Sequence, residues 1–173
     1  MYSDILKETR KYRTIYKFTD DQYLEFIVRF VQSIPYNNKD PTKFPIETIY
    51  ENNGDCEDKS MLLAGLLARE NYDVSLFKFD SVFNNTPGHM VVGVRSDNFT
   101  YPGTSYALID STVFTYIGQF PKESYKPNPQ IIKIGNGAKS YSSTGETYFI
   151  DGKICSCFEE YNYEINKQGA SRS

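Results

Sequence analysis

Three residues in the middle of the chain have the types needed for nucleophilic chemistry at a carbonyl. Cys56 stands in "NNGDCEDKSMLLAGLLARE", at the mouth of an apolar helix rather than inside it. The thiolate is the nucleophile, and a free thiol has a pKa of about 8.5. Exposed amides and the dipole at a helix's first turn favour that charge. Asp55, Glu57 and Asp58 oppose it, because like charges disfavour a thiolate. A cationic partner is therefore expected. His89, the only histidine, follows Pro87-Gly88 at the start of an apolar run. An imidazole there can take the thiol proton and form an ion pair. The base then needs a third group to fix its tautomer and stabilise the imidazolium. Asp110 is the candidate, since an acid closing the apolar run of "ALIDST" is not what packing asks for. The order Cys, His, Asp excludes the caspase pattern, in which the histidine comes first. His89 also follows too soon for papain itself, whose histidine lies roughly 130 residues downstream.

These side chains need elements to hold them. Thr19 and Gln22 have capping-box spacing, and Tyr23, Phe26, Ile27, Phe30, Val31 and Ile34 recur at helical intervals. Pro35 then stops the helix, which spans 20–33. A loop with prolines at 41 and 45 and one helical turn over 46–50 leads to Asn52-Asn53-Gly54. Asp55 can cap the next helix, with Asp58 reaching back to it. Met61, Leu62, Leu63, Leu66 and Leu67 make that helix too apolar for a surface, so it is a buried central helix. The period then changes to two. Strands are expected over 73–81, 88–96 and 105–112, joined by turn-rich segments that suit antiparallel neighbours. "QIIKI" is a further strand, and "TYFIDGKICSCF" reads as a hairpin turning at Asp151-Gly152. Helices first and strands afterwards make an α+β pattern.

Composition sets bounds. The 173 residues suit one domain, taken as 1–165, with a small polar tail at 166–173. Lys and Arg number 19 against 22 Asp and Glu, a net charge of −3 with no basic tract, so no nucleic-acid partner is expected. No stretch approaches the roughly 20 apolar residues of a membrane helix, and the charged N-terminus lacks a signal peptide's apolar centre. Three cysteines cannot all pair, which favours a reducing compartment, and a cytoplasmic location is expected.

Plainer readings also exist. Singly, Cys56 could be a structural thiol, His89 a surface or core residue, and Asp110 a turn residue. Asp58 is expected to cap rather than react. Cys155 and Cys157, with Cys56 and His89, could compose a zinc site. Cys-x-Cys is not the usual knuckle spacing, however, and the pair is expected to pack as small hydrophobes on one strand face. "GNGAKSYSSTGET" lacks the lysine spacing of a phosphate loop and reads as a surface loop.

Taken in order, "GDCEDKSMLLAGLLARENYDVSLF", "GHMVVGV" and "YALIDST" resemble the transglutaminase-like cysteine proteinase superfamily. Gly54, Cys56, Asp58, His89 and Asp110 match its pattern, and "FVQSIPY" and "FPIETIYENNGDCED" are similar to its stand-alone archaeal and bacterial members. The resemblance covers 23–119. It implies a papain-like α+β core, with the Cys-bearing helix packed on an antiparallel sheet. It also implies acyl chemistry on amides through a thioester, with Cys56, His89 and Asp110 as a catalytic triad. Hydrolysis of a peptide or isopeptide bond in a peptide or protein is the expected reaction. Acyl transfer to an amine, and a catalytically silent binding domain on the same fold, are the alternatives. An oxyanion hole is required. The Cys56 backbone amide is one expected donor, and the Gln32 side chain, as in papain-like enzymes, or Tyr36 is the second. No cofactor or metal is required by this chemistry.

Overall fold

Thr19 caps a helix as its sequence asks. Its hydroxyl accepts the Gln22 N–H at 3.2 Å, and its own N–H donates to Gln22 Oε1 at 3.1 Å. That helix, α2 (Asp20–Gln32), is one of four in the computed structural model, which describes residues 1–39, 41–80, 88–119 and 128–143. The others are α1 (Tyr2–Tyr16), α3 (Pro45–Glu51) and α4 (Cys56–Arg69). They precede four strands: β1 (Asp73–Phe79), β2 (His89–Arg95), β3 (Tyr106–Ile109) and β4 (Gln130–Asn136). The fold is α+β, with the helices packed on one antiparallel sheet of order β3-β2-β1-β4.

The sheet's register follows from what each face must bury. Phe79 lies opposite His89, and Val92 opposite Ile109. On one face Val74, Leu76, Val92, Val94 and Ile109 meet Leu62, Leu63 and Leu66 of α4. On the other, Phe77, Phe79, Val91 and Leu108 gather around Tyr101. The central strands are buried on both sides, because Tyr101 and Tyr106 close over the second face edge-on to Phe77. Gly93 makes that closure possible: a Cβ there would fall 2.4 Å from the Phe77 ring.

One element goes beyond the sequence reading, and another is placed in the sheet only by the structure. The N-terminal segment forms α1, which no capping signal announces. Its Leu6 and Thr9 are buried, and Thr9 Oγ1 lies 2.9 Å from the Tyr23 hydroxyl. The strand "QIIKI" is found as β4, but it crosses back to pair with β1 at the sheet's far side. The expected hairpin around Asp151-Gly152, Cys155, Cys157 and the tail lie outside the described residues.

This packing makes α4 the stability centre. Leu66 has no solvent exposure, whereas Ile132 on β4 is 37% exposed. We expect Leu66→Ala to cost about 3 kcal/mol in urea denaturation, and Ile132→Ala less than about 1 kcal/mol. Equal losses would contradict the assignment of the core.

Candidate active site

The sequence "GDCED" folds into a double cap. Asp55 is the N-cap of α4, and its Oδ1 accepts the N–H groups of Glu57 at 2.9 Å and Asp58 at 3.0 Å. Asp58 Oδ2 accepts the Asp55 N–H at 3.1 Å, and its Oδ1 accepts the Lys43 N–H at 2.7 Å. Asp58 is thus buried and structural. Gly54 packs against it: an added Cβ would lie 2.9 Å from Asp58 Cβ. Glu57 pairs with Lys78 Nζ at 3.2 Å. The three acids around Cys56 are therefore each matched by amides or a cation. Cys56 itself occupies the first position of the helix, half-buried, as a free thiol.

His89 opens β2, and Asp110 directly follows β3, so the antiparallel pairing brings both to one end of the sheet. His89 Nε2 lies 2.9 Å from Asp110 Oδ2, with both side chains less than one-fifth exposed. Asp110 Oδ1 accepts the Thr112 N–H at 2.8 Å and its hydroxyl at 2.6 Å, which fixes the carboxylate's plane. Burial alone would lower the His89 pKa. Hydrogen bonds to Asp110 and to Cys56, and the negative charge of both, push it up instead to about 9. Burial alone would raise the Asp110 pKa, but its bond to His89, the imidazolium's charge and Thr112 hold it below the usual carboxylate range. With Nε2 on Asp110, Nδ1 is the ring nitrogen left for the sulfur. The structure therefore brings Cys56, His89 and Asp110 into one coupled array.

Gln32, expected as an oxyanion donor, has other partners. It is buried, and its side-chain Nε2 donates to the backbone oxygens of Asp110 at 2.8 Å and Thr115 at 3.1 Å. Both amide hydrogens are already given, and they hold the chain that carries Asp110.

Three residues escaped the sequence reading. Ser60 Oγ donates to Met90 O at 3.0 Å and lies 3.1 Å from Ser111 Oγ. Met90 follows His89 and Ser111 follows Asp110, so one hydroxyl on the Cys-bearing helix ties all three elements together. Lys59, fully buried, donates its Nζ to Ile34 O at 2.6 Å and Gln32 O at 3.3 Å. Burial lowers its pKa to about 8 against the pull of Asp110. The available signal was polar: "DKS" runs straight into "MLLAGLLA", where solvated side chains have no place.

No family model matches the chain, and no curated protein does. Several solved structures are similar. One is a proposed cysteine protease from Cytophaga hutchinsonii, 16% identical with a TM-score of 0.47; the match covers 78% of this chain and 42% of that one. The calcium-bound form of LapG from Legionella pneumophila is 16% identical with a TM-score of 0.47, covering 91% of this chain and 98% of that one. Its EGTA-treated form is 18% identical with a TM-score of 0.47, covering 75% and 78%. The chain thus spans less than half the length of the first of these. Likeness at this level leaves the chemistry to be read from this chain's own residues. Among the described residues, no three His, Cys, Asp or Glu side chains cluster as metal ligands, and no helix is long and apolar enough to cross a membrane.

The His89–Asp110 coupling gives stability a pH signature. The folded His89 value of about 9 exceeds the unfolded value of about 6.5. Its contribution is therefore complete below about pH 6.5 and is lost as pH rises through about 9. Asp110 is depressed, so its share is present above the unfolded carboxylate value of about 3.9 and lost as pH falls below it. Wild type should exceed Asp110→Asn in unfolding free energy most between roughly pH 4.5 and 6.5. That difference should shrink towards pH 9 in urea titrations. A difference constant from about pH 6 to 9 would contradict the coupling.

Proposed function

We propose that this protein is a cysteine-dependent amide hydrolase, of the peptidase or isopeptidase type, related to the transglutaminase-like cysteine proteinases that its motifs resemble. The observation that carries this reading is the coupled array itself. A thiol at a helix mouth hydrogen-bonds an imidazole, whose far nitrogen lies 2.9 Å from a largely buried carboxylate.

The chemistry follows from these positions. His89 takes the Cys56 proton, and the raised imidazole pKa keeps the resulting ion pair favourable. The sulfur attacks the amide carbonyl, forming the S–C bond while the C=O π pair moves onto oxygen. The imidazolium then gives its proton to the amide nitrogen as the C–N bond breaks, releasing an amine and leaving a thioester. Asp110 stays ionised throughout and orients the ring. Water activated by His89 attacks the thioester, expels the thiolate and yields the acid. An amine in place of water would give acyl transfer by the same steps.

The oxyanion needs a donor at Cys56. Asp55 claims the Glu57 and Asp58 amides but not the Cys56 amide, which no group among the described residues accepts. That N–H, at the positive end of α4, is the first donor.

Cys56→Ala and His89→Ala should each lower turnover of a peptide or isopeptide amide by a factor on the order of 10^4. Circular dichroism and thermal unfolding should show the fold intact. A variant with wild-type turnover would overturn the assignment.

A further inference from the structure

An amide hydrolase of this kind needs a second oxyanion donor, and Gln32 has none to give. The structure offers another group a few residues on. Tyr36 forms a parallel bridge with Gly54. The bridge is closed by Gly54 N–H to Pro35 O at 3.2 Å and Asn37 N–H to Gly54 O at 3.0 Å. Lys59 fixes the same strip from below through Ile34 O. Tyr36 is therefore held by its backbone to the residue two before the nucleophile. A backbone fixed in this way limits the reach of the ring to the mouth of α4.

The side chain is suited to that position. It is 52% exposed, so a substrate can reach it, and its hydroxyl has no hydrogen-bond partner among the described residues. We propose that the Tyr36 hydroxyl is the second oxyanion donor, working with the Cys56 N–H on the carbonyl oxygen of the scissile amide. This rests on the hydrolase reading above. Its role is a hydrogen bond and not a proton transfer: the phenol keeps its proton while the negative charge grows on the substrate oxygen. Partial burial, and then the charges of Cys56, Asp55 and Asp110, raise the Tyr36 pKa. The phenol therefore stays a donor under the conditions in which a thiolate forms.

Two reagents separate this role from others. Iodoacetamide alkylates a thiolate by displacement at carbon, with no oxyanion formed. p-Nitrophenyl acetate acylates it through an oxyanion, and the released p-nitrophenolate is counted. Tyr36→Phe keeps the ring and removes only the hydroxyl. We expect it to slow acylation by roughly a hundredfold while the alkylation rate stays at the wild-type value. Acylation unchanged in Tyr36→Phe would overturn the inference and leave the hydrolase reading in place. A parallel loss of both rates would also overturn it, since Tyr36 would then act on the thiol. A wild-type thiol inert to both reagents would overturn the hydrolase reading itself.

Discussion

A helix, a strand start and a strand end must meet at one corner, and a single buried hydroxyl joins them. Ser60 on α4 donates to Met90 O and contacts Ser111, all three out of solvent or nearly so. In a low-dielectric interior such bonds are strong when satisfied and costly when broken. The helix could otherwise slide along the sheet by a turn, because Leu62, Leu63, Leu66 and Leu67 are interchangeable as apolar volume. The polar tie fixes one register, and that register brings Cys56 to His89 and Asp110.

Around that tie runs a second set of buried polar contacts. Lys59 binds the end of α2 through the carbonyls of Gln32 and Ile34. Those carbonyls lie at the negative end of the helix, where a cation is favoured. Gln32 then passes the constraint to Asp110 and Thr115. Asp110 is thereby held from its backbone by Gln32 and from its side chain by Thr112 and His89. A carboxylate fixed on so many sides can keep an imidazole raised without moving towards solvent. The cost falls on Lys59, whose charge is disfavoured by burial.

Much of this was legible in the sequence, for definite reasons. The capping boxes at Thr19 and Asp55 are local, so spacing alone gives them. Cys56, His89 and Asp110 stand out because each is the wrong residue for the apolar run beside it. Helix α1 was not legible. Ile5, Thr9, Tyr12 and Tyr16 do recur at helical spacing, but charged residues between them mask a narrow buried stripe. Gln32 shows the limit differently. Sequence puts an amide near the site, but only the fold shows that its hydrogens serve Asp110. The second buried face of the sheet depends on Tyr101, which lies in a turn whose packing no periodicity reveals.

The central claim is that Asp110 holds the His89 imidazole in its charged form beside Cys56. Because His89 is the only histidine, its imidazole signals in nitrogen–proton NMR need no assignment by mutation. A titration of wild type should give a midpoint near 9. Asp110→Asn should bring it down towards the ordinary value of about 6.5. A wild-type midpoint at about 6.5 or below, or one that Asp110→Asn does not move, would contradict the account.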